Sequence, residues 1–534
     1  MQKTVLGFMV FAGMLGMGLG ADANVAGASA IPPVVSAAHP ANVSDPALSK
    51  QRYDMIMSQL DAGGDLLVVA NLEGLVKGAV DGVTKPIMAL GKNSPQAQTS
   101  IKCVEKIPGF LEKNGFYALQ GFGMSALPRP DGLNTVKCFI ARDPAAAGLP
   151  LWRAMVGGNP KVMECTDFLP ADTELARTGT AEWRSLWKLI RAGVAEIGTP
   201  ETSAAFEGKL TSWSTNMGVN LDKVFDSFSG ECFFSVQLSR TSTIELPGGG
   251  SNGPVRMPQP TFLLGIAVSD NTLSSSLEAV LAKSGMVPVV NDGALNGIKT
   301  LNLPMPLPLP FQPSYTVYSN FFLLGSTPAV VAEGIKSFTS KSGLTATAQF
   351  KKAFEGLPVL NNGISYVSPR FMNTLTEVQK TFMSQQGAGE PGMAEMMEQI
   401  FSHQQDMQNA MVIQNRKSGV LTIGNSSAGG KEMISGLMMA PAALLTAVAI
   451  PSFMKAKSQS VQNSCINNMR MIEAAKEQWA LEKNKNTGDA VVESEVLKYL
   501  KGNKLPVCPQ GGKYTMHAVG QNCECSIPGH KMAE

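Results

Sequence analysis

The chain has 534 residues, with 44 Lys and Arg against 42 Asp and Glu and a formal net charge of +2. At roughly 150 residues per domain this length suggests about three or four domains, and the near balance of charge excludes a nucleic-acid partner recruited by bulk basicity. Charged residues make up 16% of the chain against about 25% in ordinary soluble proteins, so the sequence is rich in small uncharged residues while still long enough to bury real cores.

Residues 1–23 read as a signal peptide. Lys3 supplies the basic start, 5–20 is apolar and uncharged, and Ala21-Asp22-Ala23 gives the small-x-small pattern of a cleavage site. Ala28-Ser29-Ala30 is a second candidate, and no Cys follows the apolar run to carry a lipid. Residues 24–50 are rich in Ala, Pro, Ser and Val without periodicity, as in a tether.

From residue 51 to about 430 strand-like and helix-like runs alternate. A first α+β unit spans 51–165. It contains a strand at 66–71 (LLVVAN), paired strands at 116–122 and 136–141, and a helix around Leu151, Trp152 and Met155. The second and third units span 166–430. After Leu169 to Thr173, Trp183, Leu186, Trp187 and Ile190 recur at i, i+3, i+4 and i+7, which predicts an amphipathic helix. A short helix is expected at 224–228, then strands at 232–238 and 262–268 across the Gly/Pro loop 246–260, then a helix over 273–284. Tyr315 to Tyr318 and Phe321 to Gly325 form a hairpin about Ser319-Asn320, and 327–338 is a helix with Pro328 in its first turn. Strands at 364–367, 410–415 and 420–423 complete the body, the last two around the turn Arg416 to Gly419.

The expected fold class is therefore α+β: antiparallel meanders with helices packed on one face, in two or three degenerate copies. The Pro-rich run 304–313 reads as an exposed extended loop. The Met-rich stretch Met393, Met396, Met397, Met407 and Met411 reads as a helix core or a soft binding surface.

Between Glu432 and Lys455 there is no charged residue, giving a 22-residue apolar run, 433–454. That length is about enough to span a bilayer core, and it predicts a membrane contact. Val461, Cys465, Met469, Ile472, Lys476 and Trp479 continue at helical spacing, so 431–484 reads as one apolar, then amphipathic helix, followed by a small domain at 485–534.

The eight cysteines are Cys103, Cys138, Cys165, Cys232, Cys465, Cys508, Cys523 and Cys525. Behind a signal peptide an even count favours disulfides, with connectivity open. The rival for the last four, with His517 and His530, is a zinc site, although Cys523-x-Cys525 does not match the spaced pairs typical of structural zinc. Neither HExxH nor a P-loop is present, Gly248-Gly249-Gly250 and the residues up to Gly253 match GxSxG and GxGxxG only in letters, in a Gly/Pro loop without strand–helix context, and the remaining histidines are His39 and His403. The expectation is a non-enzyme without a cofactor. The available carboxylate pairs are Asp172 with Glu174 and Asp222 with Asp226. The latter stand i, i+4, where like charges usually form a solvated face.

Two resemblances add to this reading. Pro170-Ala171-Asp172-Thr173, Gly218-Val219-Asn220-Leu221 leading to Gly230, Val268-Ser269-Asp270 and the Tyr315–Gly325 hairpin resemble a family of uncharacterised bacterial envelope domains over 165–340. The stretch 449–457 (AIPSFMKAK), then Pro506-Val507-Cys508-Pro509, Gly511 to Thr515 and Cys525 to His530, resembles type IV pilins and type II secretion pseudopilins over 440–534. That resemblance implies a helical stalk and a pilin-like C-terminal meander. The pilin pattern has its helix at the very N-terminus, with Glu fifth in the mature chain. Here the helix is internal and Ile434 stands where that Glu would be.

The functional expectation is a non-catalytic exported envelope protein of the periplasm, membrane-associated through 433–454. Its body would bind or scaffold protein partners in surface assembly or secretion. The alternatives are a periplasmic carboxylate-dependent hydrolase and a soluble extracellular polymer-binding module. If 433–454 stops translocation, the tail lies in the cytoplasm, in agreement with Lys455 and Lys457. If it does not cross, the tail is exported.

Overall fold

The computed structural model describes residues 46–91, 98–246, 255–302, 311–385, 407–430, 462–509, 511–527 and 530–532. The signal segment 1–23, most of the tether, most of the Pro run, Met393, Met396 and Met397, and the apolar run 433–454 lie outside the described residues. The chain divides into two units, Met1–Met433 and Ile434–Glu534.

In the first unit the strand-forming runs join into one sheet. Its strands in chain order are β1 Leu66–Asn71, β2 Leu119–Pro128, β3 Asn134–Arg142, β4 Thr173–Thr180, β5 Phe228–Leu246, β6 Val255–Val268, β7 Val289–Val290, β8 Lys299–Thr300, β9 Ser314–Tyr318, β10 Phe321–Gly325, β11 Gly363–Val367, β12 Asn409–Arg416 and β13 Gly419–Ser426. Their spatial order is β1-β2-β3-β13-β12-β11-β4-β5-β6-β10-β9-β8-β7, and every neighbouring pair is antiparallel. Because β3 pairs with β13 over eight register positions, from Gly419 opposite Ala141 to Ser426 opposite Asn134, the sheet runs straight through the expected boundary at residue 165.

The helices are α1 Pro46–Met57, α2 Leu75–Gly91, α3 Gln98–Lys113, α4 Pro150–Val156, α5 Trp183–Ile197, α6 Pro200–Met217, α7 Leu221–Ser227, α8 Thr272–Lys283, α9 Pro328–Ser340, α10 Ala348–Ala353 and α11 Pro369–Gln385. One connectivity occurs three times among the described residues: a strand, one or more helices, then a hairpin whose first strand pairs with the opening strand. The three instances are β1-β2-β3, β4-β5-β6 and β11-β12-β13.

The helices do not lie on one face, which corrects the expectation. In β10 Phe321 and Leu323 pack with Leu263, Val330 and Val331 of α9, while the alternate Phe322 and Leu324 pack with Ile266, Leu277 and Leu281 of α8. Successive strand side chains point to opposite faces. A strand apolar at consecutive positions therefore calls for cover on both.

Most expected elements fall where the sequence placed them. The hairpin turn is formed by Ser319 and Asn320 at φ 46° and 62°, the left-handed values a two-residue turn requires. Thr327 accepts the Val330 N–H and Pro328 opens α9. Strands β4, β7 and β8 and helices α1, α3, α6, α10 and α11 were not expected. β4 reads TELARTGT, with little apolar content, yet Thr173, Glu174, Ala176 and Thr178 are buried. α6 has no fully buried residue and so carries no detectable stripe, although Thr199 caps it and Gly218 ends it at φ 70°. Met411 lies on β12, a strand where a helix core was one expectation.

In the second unit residues 462–482 are helical (α12). Of the periodic residues of the sequence, Val461 lies outside the described residues, and Cys465, Met469, Ile472, Lys476 and Trp479 are all at most 1% exposed. A short helix, α13 Glu493–Val496, sets Val496 against Trp479. The expected meander is reduced to a two-residue ladder, β14 Tyr514–Thr515 with β15 Glu524–Cys525, set among loops. Among the described residues no helix is long and apolar enough to cross a membrane.

Candidate metal centre

No two of the eight cysteines are joined in a disulfide, and in the body the strand period places Cys165 and Cys232 apart. Cys165 precedes β4, in the cluster around Phe168 and Phe233. Its N–H donates to Glu231 at 2.8 Å and its thiol points to the Cys232 carbonyl at 3.8 Å. The Cys232 side chain leaves β5 on the opposite face, among Ile266 and Leu277, and contacts the Gly179 carbonyl at 3.7 Å. Burial pushes the Cys165 thiol well above its ordinary range, aided by the Glu231 charge, and pushes Cys232 up to about 12. Cys138 sits mid-sheet on β3, between Met124 and Thr422, and burial raises it to about 11. Cys103 is on α3.

The tail cysteines behave differently. Cys465 in the first turns of α12, Cys508 in the loop after α13, Cys525 on β15 and His530 beyond it bring three sulfurs and one imidazole nitrogen within 4.8 Å of one another. The Cys525 and Cys508 sulfurs are 3.8 Å apart, and His530 Nδ1 lies 3.7 Å from Cys508 Sγ and 3.9 Å from Cys525 Sγ. Cys465, Cys508 and His530 are buried and Cys525 is half-buried.

Local chemistry builds this convergence. The Gly511 N–H turns back onto the Cys508 carbonyl at 2.8 Å. Gly512 then passes so close that a Cβ there would stand 2.6 Å from Cys525 Sγ and 3.3 Å from Cys508 Sγ. Lys513 and Ser526 exchange two bonds of 3.0 Å that fix the β15 end, and the His530 N–H closes on the Ile527 carbonyl at 3.2 Å. Tyr514 donates its hydroxyl to Cys465 Sγ at 3.3 Å and accepts from Asn468 Nδ2 at 3.1 Å.

Two members of the sequence-level set stand outside the four. Cys523 is buried, and its N–H donates to Glu473. His517 faces Glu524 at 3.5 Å. The pairing of Cys465 with His530, sixty-five residues further along the chain, carries no spacing signature in the sequence. Helical periodicity puts Cys465 on the inner face of α12, but not beside His530.

The carboxylates in the body are engaged structurally. Asp222 accepts Trp187 Nε1–H at 2.7 Å and Arg191 Nη1–H at 2.8 Å, and Asp226 pairs with Arg184 at 2.6 Å. The Trp187 bond first, then Arg191, hold the Asp222 carboxyl below its usual range. This side of α5 and α7 borders an open polar cleft that also includes Glu207 and Asn220. Buried Glu174 accepts from Arg370 Nη1 at 2.7 Å and from Ser368 Oγ. Asp172 and Glu333 are both shifted upward. Partial withdrawal from water raises both, and Glu174's charge adds to Asp172 as Asp172's does to Glu333.

Comparison of the chain with family models, curated proteins and solved structures returns no match.

Proposed function

We propose that this chain is a non-catalytic exported protein of the bacterial cell envelope. Its body acts as a binding or scaffolding platform for protein partners in surface assembly or secretion. Its tail is a pilin-like module, and 433–454 contacts the membrane. The observation that supports a non-catalytic body most is the commitment of its carboxylates. Asp222, Asp226 and Glu174 each neutralise an arginine that ties one element to another. A general acid needs a carboxyl raised toward the working pH, and Asp222 is shifted the other way.

One observation favours the hydrolase as a second reading: Asp172 and Glu333 are both raised by partial burial, and the Asp172 charge adds to the rise of Glu333. The experiment that separates the readings joins localisation with interaction. Cells are fractionated, proteins are cross-linked in intact cells, and spheroplasts are treated with external protease. The proposal expects the chain in the envelope fraction, cross-linked to other envelope proteins, with its tail cleaved. Recovery as an uncrosslinked soluble protein of the cytoplasm would overturn it. Retained function of an Asp172→Asn/Glu333→Gln double variant supports the scaffold, and its loss with an intact fold supports the hydrolase.

A further inference from the structure

We propose that Cys465, Cys508, Cys525 and His530 bind one zinc(II) ion, and that this ion is the structural clasp of the C-terminal unit. The inference is independent of the envelope reading.

The geometry separates a metal site from a disulfide. Ligands at about 2.3 Å from a tetrahedral zinc stand about 3.8 Å from one another. The separations among Cys508, Cys525 and His530 are 3.8, 3.7 and 3.9 Å, and Cys465 Sγ lies within 4.8 Å of all three. A disulfide would need two of these sulfurs at about 2.05 Å, and would strand the third thiol and the imidazole in a buried place. Three sulfurs and one nitrogen form a donor set that suits zinc, being soft enough to favour it over magnesium or calcium.

Two further features point to a ligand. The backbone at Gly512 leaves a space that any larger residue would fill with a Cβ against two of the sulfurs. Tyr514 directs its O–H to Cys465 Sγ and is itself positioned by Asn468, an outer-shell donor to a thiolate. Four protein ligands close the coordination sphere, which is the arrangement of a structural site with no position for substrate. The ligands come from α12, the loop after α13, β15 and the chain beyond it. The ion therefore ties together a unit whose only sheet among the described residues is a two-residue ladder. Small units of this kind commonly need such a staple.

The test uses the full-length chain, purified under reducing conditions without added chelator. Elemental analysis is expected to find one zinc per chain. Replacing zinc with cobalt(II) should give the intense ligand-field bands of a tetrahedral site and a thiolate-to-metal charge-transfer band. Cys508→Ser, Cys525→Ser and His530→Ala should each lose the bound metal or weaken cobalt binding at least tenfold. Cys523→Ser should keep one equivalent, which guards against a general effect of losing a thiol. If a variant fails to fold, cobalt titration of His530→Cys keeps the proposal testable, because a fourth thiolate should retain the metal and strengthen the charge-transfer band. A metal-free chain that folds unchanged, a Cys508–Cys525 disulfide found by non-reducing peptide mapping, or equal loss of metal in Cys523→Ser would each overturn the assignment.

Discussion

Arg370 at the start of α11 places Nη1 2.7 Å from the carboxylate of Glu174 on β4, 196 residues earlier in the chain. The same guanidinium donates to the carbonyls of Leu238 and Ser239 on β5 at 2.9 Å each. One side chain thus pins α11 across two strands. Glu174 is buried, so Arg370→Met leaves a carboxylate out of water without its cation. The expected loss is about 3–5 kcal/mol by urea unfolding, with part recovered in the Glu174→Gln/Arg370→Met double variant. A change below about 1 kcal/mol, the scale of surface pairs, would mean that the pair is not buried as described.

Lys476 poses the same problem inside α12. Its side chain is 1% exposed and its ammonium is held by Glu473 at 2.8 Å and by the Gln521 carbonyl. Removing the carboxylate alone, Glu473→Ala, should destabilise the C-terminal unit by about 3 kcal/mol or more, whereas Glu473→Ala/Lys476→Met should be far milder. Hydrogen exchange over residues 462–482 reads this unit without interference from the body. Equal exchange in the single and double variants would contradict the prediction.

The Asp222 carboxyl titrates lower in the folded chain because Trp187 and Arg191 donate to it. The sign follows from linkage. A depressed carboxyl contributes stability that is present above its unfolded value of about 4 and is lost as pH falls through the folded one. Trp187 stacks on Phe225 with ring centroids 4.7 Å apart. Near-ultraviolet circular dichroism should therefore report loosening of α5 and α7 below about pH 4. In Asp222→Asn that acid transition should flatten, and an unchanged profile would assign it to other groups.

Asp172 and Glu333 carry the opposite sign. Raised carboxyls favour the folded state when protonated, so their contribution is lost as pH rises through the folded values. Asp172→Asn is accordingly expected to raise the melting temperature at neutral pH and to leave it unchanged in acid, below the unfolded carboxyl range. A lower melting temperature at neutral pH would contradict the shift.

Gly265 on β6 lies opposite Phe233 on β5. A Cβ at Gly265 would stand 2.0 Å from the Phe233 ring, and that ring also stacks on Phe168 at 5.8 Å. Gly265→Ala should cost about 1–3 kcal/mol through displacement of the ring, and Gly265→Ala/Phe233→Leu should recover part of it. Thermal unfolding of the three variants tests the pair.

Much of the body was legible in the sequence. The 315–325 hairpin, the Trp183 helix and the β12–β13 turn were readable because their signals are local: alternation, i to i+4 spacing, and turn residues. β4 was not, because its polar residues are buried through partners distant in the chain, Glu174 through Arg370 and Ser368 and Thr178 through the Ile364 N–H. α6 was not, because it packs too lightly to carry a stripe. Of the candidate site, the periodicity of Cys465, Met469, Ile472 and Trp479 predicted the inner face of α12, and the choice of His530 over His517 was invisible.

The opening composition, sparse in charge and rich in Gly and Pro, bounded the class of the chain and located its low-complexity segments. The sequence also set the fold class, since strand and helix periods are properties of neighbouring residues. Tertiary structure alone decided which faces were covered and which cysteines met. Cys165 and Cys232 look as eligible for pairing as Cys508 and Cys525, but the alternation of β5 turns Cys232 to the face opposite the one where Cys165 packs. In the tail, α12, the Gly511-Gly512 turn and β15 bring three sulfurs and His530 Nδ1 within 4.8 Å. A count of cysteines cannot tell these cases apart. The side-chain directions that do are fixed only once the strands have paired and the helix has packed.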